Sequence, residues 1–488
     1  MAGEKLYKQL KNGLIYTALG KVSNLLVTLI VNAILSRLLT PADYGIVAIV
    51  QVFILFFQMI VEAGMGPAII QNKQLTEDDH SSLFNFSFLF SILLSILFGF
   101  FGFVIARIYG DPIYIYISWF QSIAIFFNGL TIVPLAILNK SKEFKKVNFI
   151  QVVSSFLSGL IGTICAFNNF GVYSLIISSI ILALSNFIGM MTFSTLRLSL
   201  NFNSRPLKQI MGFSIHQFVF NFINYFSRNA DNILVGKYMG TIALGNYSKS
   251  YQLLMMPNSV LLGIINPVLQ PILSEYENDV NKIKNSYLNI VKALALIGVS
   301  LSIFLSIFAK EIIEFIFGNQ WSLAVVPFRI LALTVWIQMT LSSSGAIFQA
   351  RNKAKQLMVT GTISAVLLVS SIIVGIYFDS LTSLAICLSI GFLLNFLISF
   401  HRLMSLVLDS SLNELLRVFV HPFIVGAVVA LGLYISSILI HISSNFIYLV
   451  IQGLFFVIFF TIGLFITKEN QMFTLLFKSK HSKNNSSK

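Results

Sequence analysis

Residues 82–107, SLFNFSFLFSILLSILFGFFGFVIAR, carry no charge before Arg107. A helix needs about 20 mainly apolar residues to cross a bilayer core, and this run is longer. From Phe86 to Phe101 the apolar residues continue on every side, without the period-two alternation of a barrel strand. The segment reads as a membrane-spanning helix.

Outward from it, the same pattern recurs in both directions. Spans are expected at 14–36, 42–64, 82–107, 113–138, 148–167, 171–195, 207–234, 242–270, 285–308, 323–349, 356–378, 381–405, 414–440 and 445–467, about fourteen in all. The composition agrees: 56% of residues are hydrophobic and 10% charged, where a soluble domain carries about 25% charged residues. The fold class expected is an all-α polytopic membrane protein.

Lys5, Lys8 and Lys11 precede the first span, which is too long for a signal-peptide core and lacks a small-residue cleavage site, so the start reads as a cytoplasmic tail. Cys165 and Cys387 fall inside spans and suggest neither a disulfide framework nor a zinc site; both read as small buried hydrophobes. The net charge of +14 sorts by leaflet. With the N-terminus inside, the basic loops around Lys140–Lys146, Arg197–Lys208, Arg351–Lys355 and the tail after Lys468 are all cytoplasmic, and only Arg37, Arg107, Lys237 and Lys310 lie outside. The charge thus reports topology, with both termini cytoplasmic, and implies no nucleic-acid partner. The loops are short, which disfavours a membrane enzyme that needs a large outer loop.

The two halves look distantly related. A shift of 200 positions pairs Asn32 with Asn232, Arg37 with Lys237, Gly45 with Gly245 and Pro67 with Pro267; a shift of 208 pairs Gly110 with Gly318. The expected organisation is two parallel six-helix lobes around a central cleft, 1–200 and 201–410, followed by two further helices in 411–467 and a basic tail at 468–488.

No catalytic or metal-binding constellation appears. Gly236-Lys237 lacks the Ser or Thr and the first Gly of a P-loop, and the histidines show no ligand spacing. Charges within spans carry more information, because an ionisable group at the bilayer centre costs about 2.5–3.5 kcal/mol and usually faces a cavity or a partner. They are Lys21, Glu62, Arg228, Asp231, Lys249, Lys292 and Arg329. Arg228 and Asp231 share a helix face and read either as a structural ion pair or as cleft residues, with Asp231 in cation or proton coupling. The excess of Lys and Arg favours an anionic cargo, since both are natural counter-charges for phosphate. The in-span amides, Asn24, Asn32, Gln51, Gln58, Asn85, Gln121, Asn128 and Gln338 among them, serve equally for interhelical hydrogen bonds or for a sugar-passing cleft.

Three stretches carry a family resemblance: Arg37-Leu38-Leu39-Thr40-Pro41-Ala42-Asp43-Tyr44-Gly45; Glu62-Ala63-Gly64-Met65-Gly66-Pro67; and Arg228-Asn229-Ala230-Asp231-Asn232-Ile233-Leu234-Val235-Gly236-Lys237 with Leu244-Gly245-Asn246-Tyr247. With the basic stretch 139–146, they resemble the polysaccharide transporter family, the Wzx-type flippases of the multidrug/oligosaccharidyl-lipid/polysaccharide exporter superfamily. The resemblance implies a bacterial cytoplasmic-membrane protein that is not an enzyme and needs no cofactor. It implies movement of polyprenyl-pyrophosphate-linked oligosaccharide to the outer leaflet by alternating access, driven by a proton or sodium ion, alongside a polysaccharide polymerase and a chain-length regulator. On that reading Lys21, Arg37, Arg228 and Lys249 contact substrate, and Asp231 or Glu62 couples the ion. The competing expectations are a multidrug exporter of the same superfamily and a non-transporting scaffold of a glycan-assembly complex.

Overall fold

The structure, a computed structural model, describes residues 2–62, 65–72, 74–197, 229–274, 279–440 and 444–470, with 199, 203, 225 and 442; side chains 2–19, 71 and 260–274 are outside the description. Among the described residues, 11 helices are long and apolar enough to cross a membrane, or 12 with one bent pair counted as a single span. The chain is a multi-pass helical membrane protein. The expected span at 207–234 falls largely on residues outside the description, and 242–270 is helical within Gly240–Ser274 but is not among the helices counted as long and apolar enough, so fourteen is not reached.

Two compact units divide the chain, residues 1–248 and 249–488. The first contains α1 (Ala2–Leu38), α2 (Pro41–Glu62), α3 (Met65–Gln71), α4 (Glu77–Tyr109), α5 (Ile113–Lys140), α6 (Phe144–Phe167) and α7 (Val172–Phe193). A helical segment, 229–238, and the start of α8 (Gly240–Ser274) complete it.

Local sequence sets the helix ends. In Thr40-Pro41-Ala42-Asp43, Asp43 N donates to Thr40 Oγ1 (3.2 Å), while Thr40 N and Oγ1 donate back to Asp43 Oδ2 (2.9 and 2.7 Å). This is a capping box, with Pro41 at the first helical position, where its missing N–H costs nothing. Thr76 and Asp79 repeat the device at the start of α4. Such caps satisfy backbone donors that would otherwise lack partners.

The start of α2 packs against the start of α8 through two glycines. A Cβ at Gly45 would lie 1.8 Å from the Thr241 carbonyl oxygen, and one at Gly245 would lie 1.9 Å from the Pro41 carbonyl oxygen. The contact is reciprocal: position 45 meets 241 and position 245 meets 41, as in a two-fold self-complementary interface. Only a residue without Cβ permits this approach.

The second unit contains α9 (Val280–Ile307), α10 (Ala309–Phe317), α11 (Ser322–Ala332), α12 (Val335–Leu341), α13 (Ser344–Ala350), α14 (Ala354–Tyr377), α15 (Leu381–Leu406), α16 (Leu412–Val418), α17 (Val420–Leu439) and α18 (Asn445–Ile466). The expected span at 323–349 is broken: the segments 319–332 and 335–350 meet at a 53° bend. The break exposes backbone donors, and the Trp336 N–H is taken up by Ser302 Oγ of α9 at 3.2 Å. The Trp336 ring is held edge-on by Phe396, Phe419 and Phe423, with centroids 5.1, 5.4 and 5.5 Å away. Non-helical backbone is tolerated in a membrane where protein replaces water in this way.

The two units share backbone punctuation. Gly110 and Gly318 both take positive φ, 77° and 100°, at helix ends. Lys142 and Asn352 also match, at φ 59° and 54°, as do Asn169 and Asp379, at 60° and 47°. Each of these residues turns the chain between consecutive helices.

Candidate functional site

Within the first unit, four helices enclose a polar cavity of about 200 Å³. Gln58 and Glu62 come from one face of α2, a helical turn apart; Asn128 comes from α5, Gln151 from α6 and Asn186 from α7. Apolar walls are supplied by Val61, Ile132, Leu135 and Met190. The volume falls just below the roughly 300–1,000 Å³ of typical ligand pockets.

The geometry of α5 opens this space. Gly129 sits where a Cβ would meet Ser91 Oγ at 2.0 Å, so α4 and α5 pack closely behind the cavity. Ser87 Oγ donates to the Gly129 carbonyl at 2.8 Å across that contact. Pro134 lies inside α5 and removes one intrahelical donor beside the lining. Neighbouring Thr131 returns its hydroxyl to the Phe127 carbonyl at 2.8 Å.

The polar lining is available for a ligand. Among the described residues, the side chains of Gln58, Glu62, Asn128 and Gln151 make no hydrogen bond, and Glu62 has no ion-pair partner. Asn186 Oδ1 is buried without a partner. A buried polar atom left open costs about 1–3 kcal/mol. Among the described lining residues Asn186 Oδ1 is the one such atom, and the half-buried amides and exposed Glu62 around it leave room for a ligand or water to complete its hydrogen bonding.

Of the site residues expected from the sequence, the cavity takes Glu62 alone. Lys21 is exposed on α1, and Arg37 is exposed in the last turn of the same helix. Asp231 is buried elsewhere in the first unit, where Tyr247 donates to its carboxylate at 2.8 Å. Arg228 lies outside the described residues. Lys249 belongs to the second unit and is 2% exposed, its ammonium 4.7 Å from the Phe317 ring centre and 5.4 Å from that of Trp321. Aromatic faces attract a cation there.

Lys292, another in-span charge, pairs with Glu469, and His421 bonds the same carboxylate oxygen. The pair joins α9 to the segment just beyond α18. Burial alone would push the Glu469 carboxyl up; hydrogen bonds from Lys292 and His421 outweigh this and hold it below its usual 4.5.

The in-span amides singled out from the sequence include Gln58 and Asn128, which line the cavity, but not Gln151 and Asn186, which do as well. A signal for Gln151 was present. On α6, Gln151, Ser154, Ser155 and Ser158 recur at three- and four-residue spacing, a polar stripe on an otherwise apolar helix.

Comparison with solved structures places the backbone among known folds. The lipid II flippase MurJ in its inward closed conformation aligns with a TM-score of 0.73 at 17% identity, covering 94% of this chain and 100% of that one. An inward-facing multidrug resistance MATE family transporter of the MOP superfamily aligns with a TM-score of 0.63 at 13% identity, over 81% and 96% of the two chains. In sequence, the chain is 26% identical over 444 residues to the teichuronic acid biosynthesis protein TuaB of Bacillus subtilis, covering 88% of this chain and 90% of TuaB. It is 24% identical over 304 residues to the succinoglycan biosynthesis transport protein ExoT of Rhizobium meliloti, 62% of this chain and 61% of ExoT. The family described as polysaccharide biosynthesis protein matches residues 34–326, which takes in the cavity and more than half of the sequence, and the chain belongs to that family.

Proposed function

We propose that this protein is a flippase that carries polyprenyl-pyrophosphate-linked oligosaccharide from the inner to the outer leaflet of a bacterial cytoplasmic membrane, by alternating access, for assembly of a surface polysaccharide. The observation that carries the reading is the first-unit cavity, whose amide and carboxylate side chains have no hydrogen-bond partners among the described residues. Oligosaccharide hydroxyls need such partners when they leave water, since an unsatisfied polar group in hydrocarbon costs several kcal/mol. The MurJ-like fold and the family's description support the transport class.

Glu62 is the group we assign to coupling, binding a proton or sodium ion in one conformation and releasing it in the other. Lys21 and Arg37 are assigned to the pyrophosphate, on the general ground that ammonium and guanidinium groups match phosphate oxygens. The polyprenyl tail stays in lipid throughout. The chain itself makes or breaks no bond in this scheme, and a polymerase would take the cargo on the far side.

Deletion of the gene tests the reading. A complete, unpolymerised lipid-linked repeat unit should accumulate on the cytoplasmic leaflet, and unchanged lipid-linked glycan would refute it. A second reading, export of cationic drugs, draws on Glu62 being the one charge among the described residues of the cavity lining and on the MATE-like fold. It expects new sensitivity of the deletion strain to cationic dyes, with glycans unaltered.

A further inference from the structure

The notable feature of the cavity is the charge it lacks. Among its described lining residues there is no Lys, Arg or His; the polar groups are four carboxamides, Gln58, Asn128, Gln151 and Asn186, the carboxylate of Glu62, and the hydroxyl of Thr131, which donates to the Phe127 carbonyl. Every basic side chain assigned to substrate from the sequence lies elsewhere or outside the described residues.

Each carboxamide offers two N–H donors and one acceptor oxygen, and the carboxylate only accepts. A neighbouring pair of sugar hydroxyls can donate to the two oxygens of Glu62, or donate to and accept from one amide, with no net charge required. Acetamido groups on a sugar add a carbonyl and an N–H that the same amides can meet. A uronate or phosphate placed here would instead face a like charge in a site walled by Val61, Ile132, Leu135 and Met190, where apolar surroundings weaken screening.

Resting on the flippase reading above, we infer that the first-unit cavity is a selectivity site for the uncharged, hydroxyl- and acetamido-bearing part of the glycan, and that Glu62 makes it discriminate against acidic sugars. The anionic pyrophosphate is handled at other residues. Selectivity then has two sources: hydrogen bonds that a neutral sugar completes, and a carboxylate that repels an acidic one.

The test uses the full chain purified in lipid nanodiscs and two soluble probes of equal length, N,N′-diacetylchitobiose and digalacturonate, with binding followed by ligand-observed NMR at neutral pH. Wild type should bind diacetylchitobiose at least tenfold more tightly than digalacturonate. Glu62→Gln should bring the two within threefold, chiefly by strengthening digalacturonate. Asn186→Leu should weaken diacetylchitobiose by at least fivefold, and the circular dichroism of both variants should match wild type. Equal or tighter binding of digalacturonate by wild type, a preference unmoved by Glu62→Gln, or no binding of either probe would overturn the inference. Its failure is distinguishable from that of the flippase reading, which the lipid-linked glycans of the deletion strain decide without reference to sugar charge.

Discussion

The two units share their turns and differ in how they house polar side chains. In the first, amides from α5, α6 and α7, with Gln58 and Glu62 of α2, converge on open space. In the second, two of the in-span charges are engaged with other protein groups, Lys292 with Glu469 and Lys249 under the rings of Phe317 and Trp321, while Arg329 is exposed. Helical units with the same turn positions can therefore carry open polar side chains in one place and internal staples in another. What separates the two uses is whether the polar atoms have partners within the protein. An ionisable residue in a span marks function by default, and a partner within the protein supplies a structural account beside it.

That contrast can be broken by mutation, with thermal unfolding in detergent and glycan export as paired readouts. The largest loss of stability falls on the reciprocal glycine contact. Gly45→Ala puts a methyl group against the Thr241 carbonyl of α8 and should cost about 3 kcal/mol, at the upper end for overpacking. Retention of wild-type melting would show that the two helix starts are less closely apposed than described.

Removing Glu469 comes next. Glu469→Ala leaves Lys292 mostly buried without its counter-charge and should cost about 2–3 kcal/mol, below the usual figure for buried pairs because Lys292 keeps 25% of its side chain exposed. The pH dependence has a definite sign. The folded carboxyl titrates below its unfolded value, so the stabilisation is full above pH 4.5 and is lost as the pH falls through the folded pKa. Wild type should therefore lose more stability on acidification than Glu469→Gln; equal slopes would place the pair outside the folding equilibrium.

Ser302→Ala removes the acceptor of the Trp336 N–H at the broken span and should cost about 1–2 kcal/mol. Lys249→Met keeps the volume beneath Phe317 and Trp321, and the change should stay under about 1.5 kcal/mol with export retained. Loss of export from a stable Lys249→Met protein would move Lys249 from packing to transport and erase the contrast between the units.

The outline of the fold was legible in the sequence because membrane helices declare themselves by length and hydropathy. The glycines paired at a shift of 200, Gly45 and Gly245, turned out to touch each other. Thr40-Pro41-Ala42-Asp43 wrote its own cap. Of the site, Gln58, Glu62 and Asn128 were visible as polar residues in apolar runs, yet nothing local tied them together. Which face of a helix turns inward is decided by packing against helices far away in the chain. For the same reason Lys292 gave no hint of Glu469, which sits in what reads as a basic tail. Counting basic residues suggested an anion-binding cleft between the lobes; the cavity within the first unit is a different place, and its described lining holds none of them.

The smallest stability change is expected at Glu62. Glu62→Gln is nearly isosteric, is exposed to the cavity and breaks no bond among the described residues, so unfolding should move by less than about 0.5 kcal/mol. Its effect on transport is expected to be the largest of all. The decisive measurement reconstitutes the full chain in vesicles, adds lipid-linked glycan extracted from the deletion strain to the outer leaflet, and follows its protection from an external glycosidase under an imposed proton or sodium gradient. Wild type should protect the glycan in a gradient-dependent way, and Glu62→Gln should match empty vesicles. Protection no greater than in empty vesicles for wild type, or undiminished by Glu62→Gln, would contradict transport through this cavity.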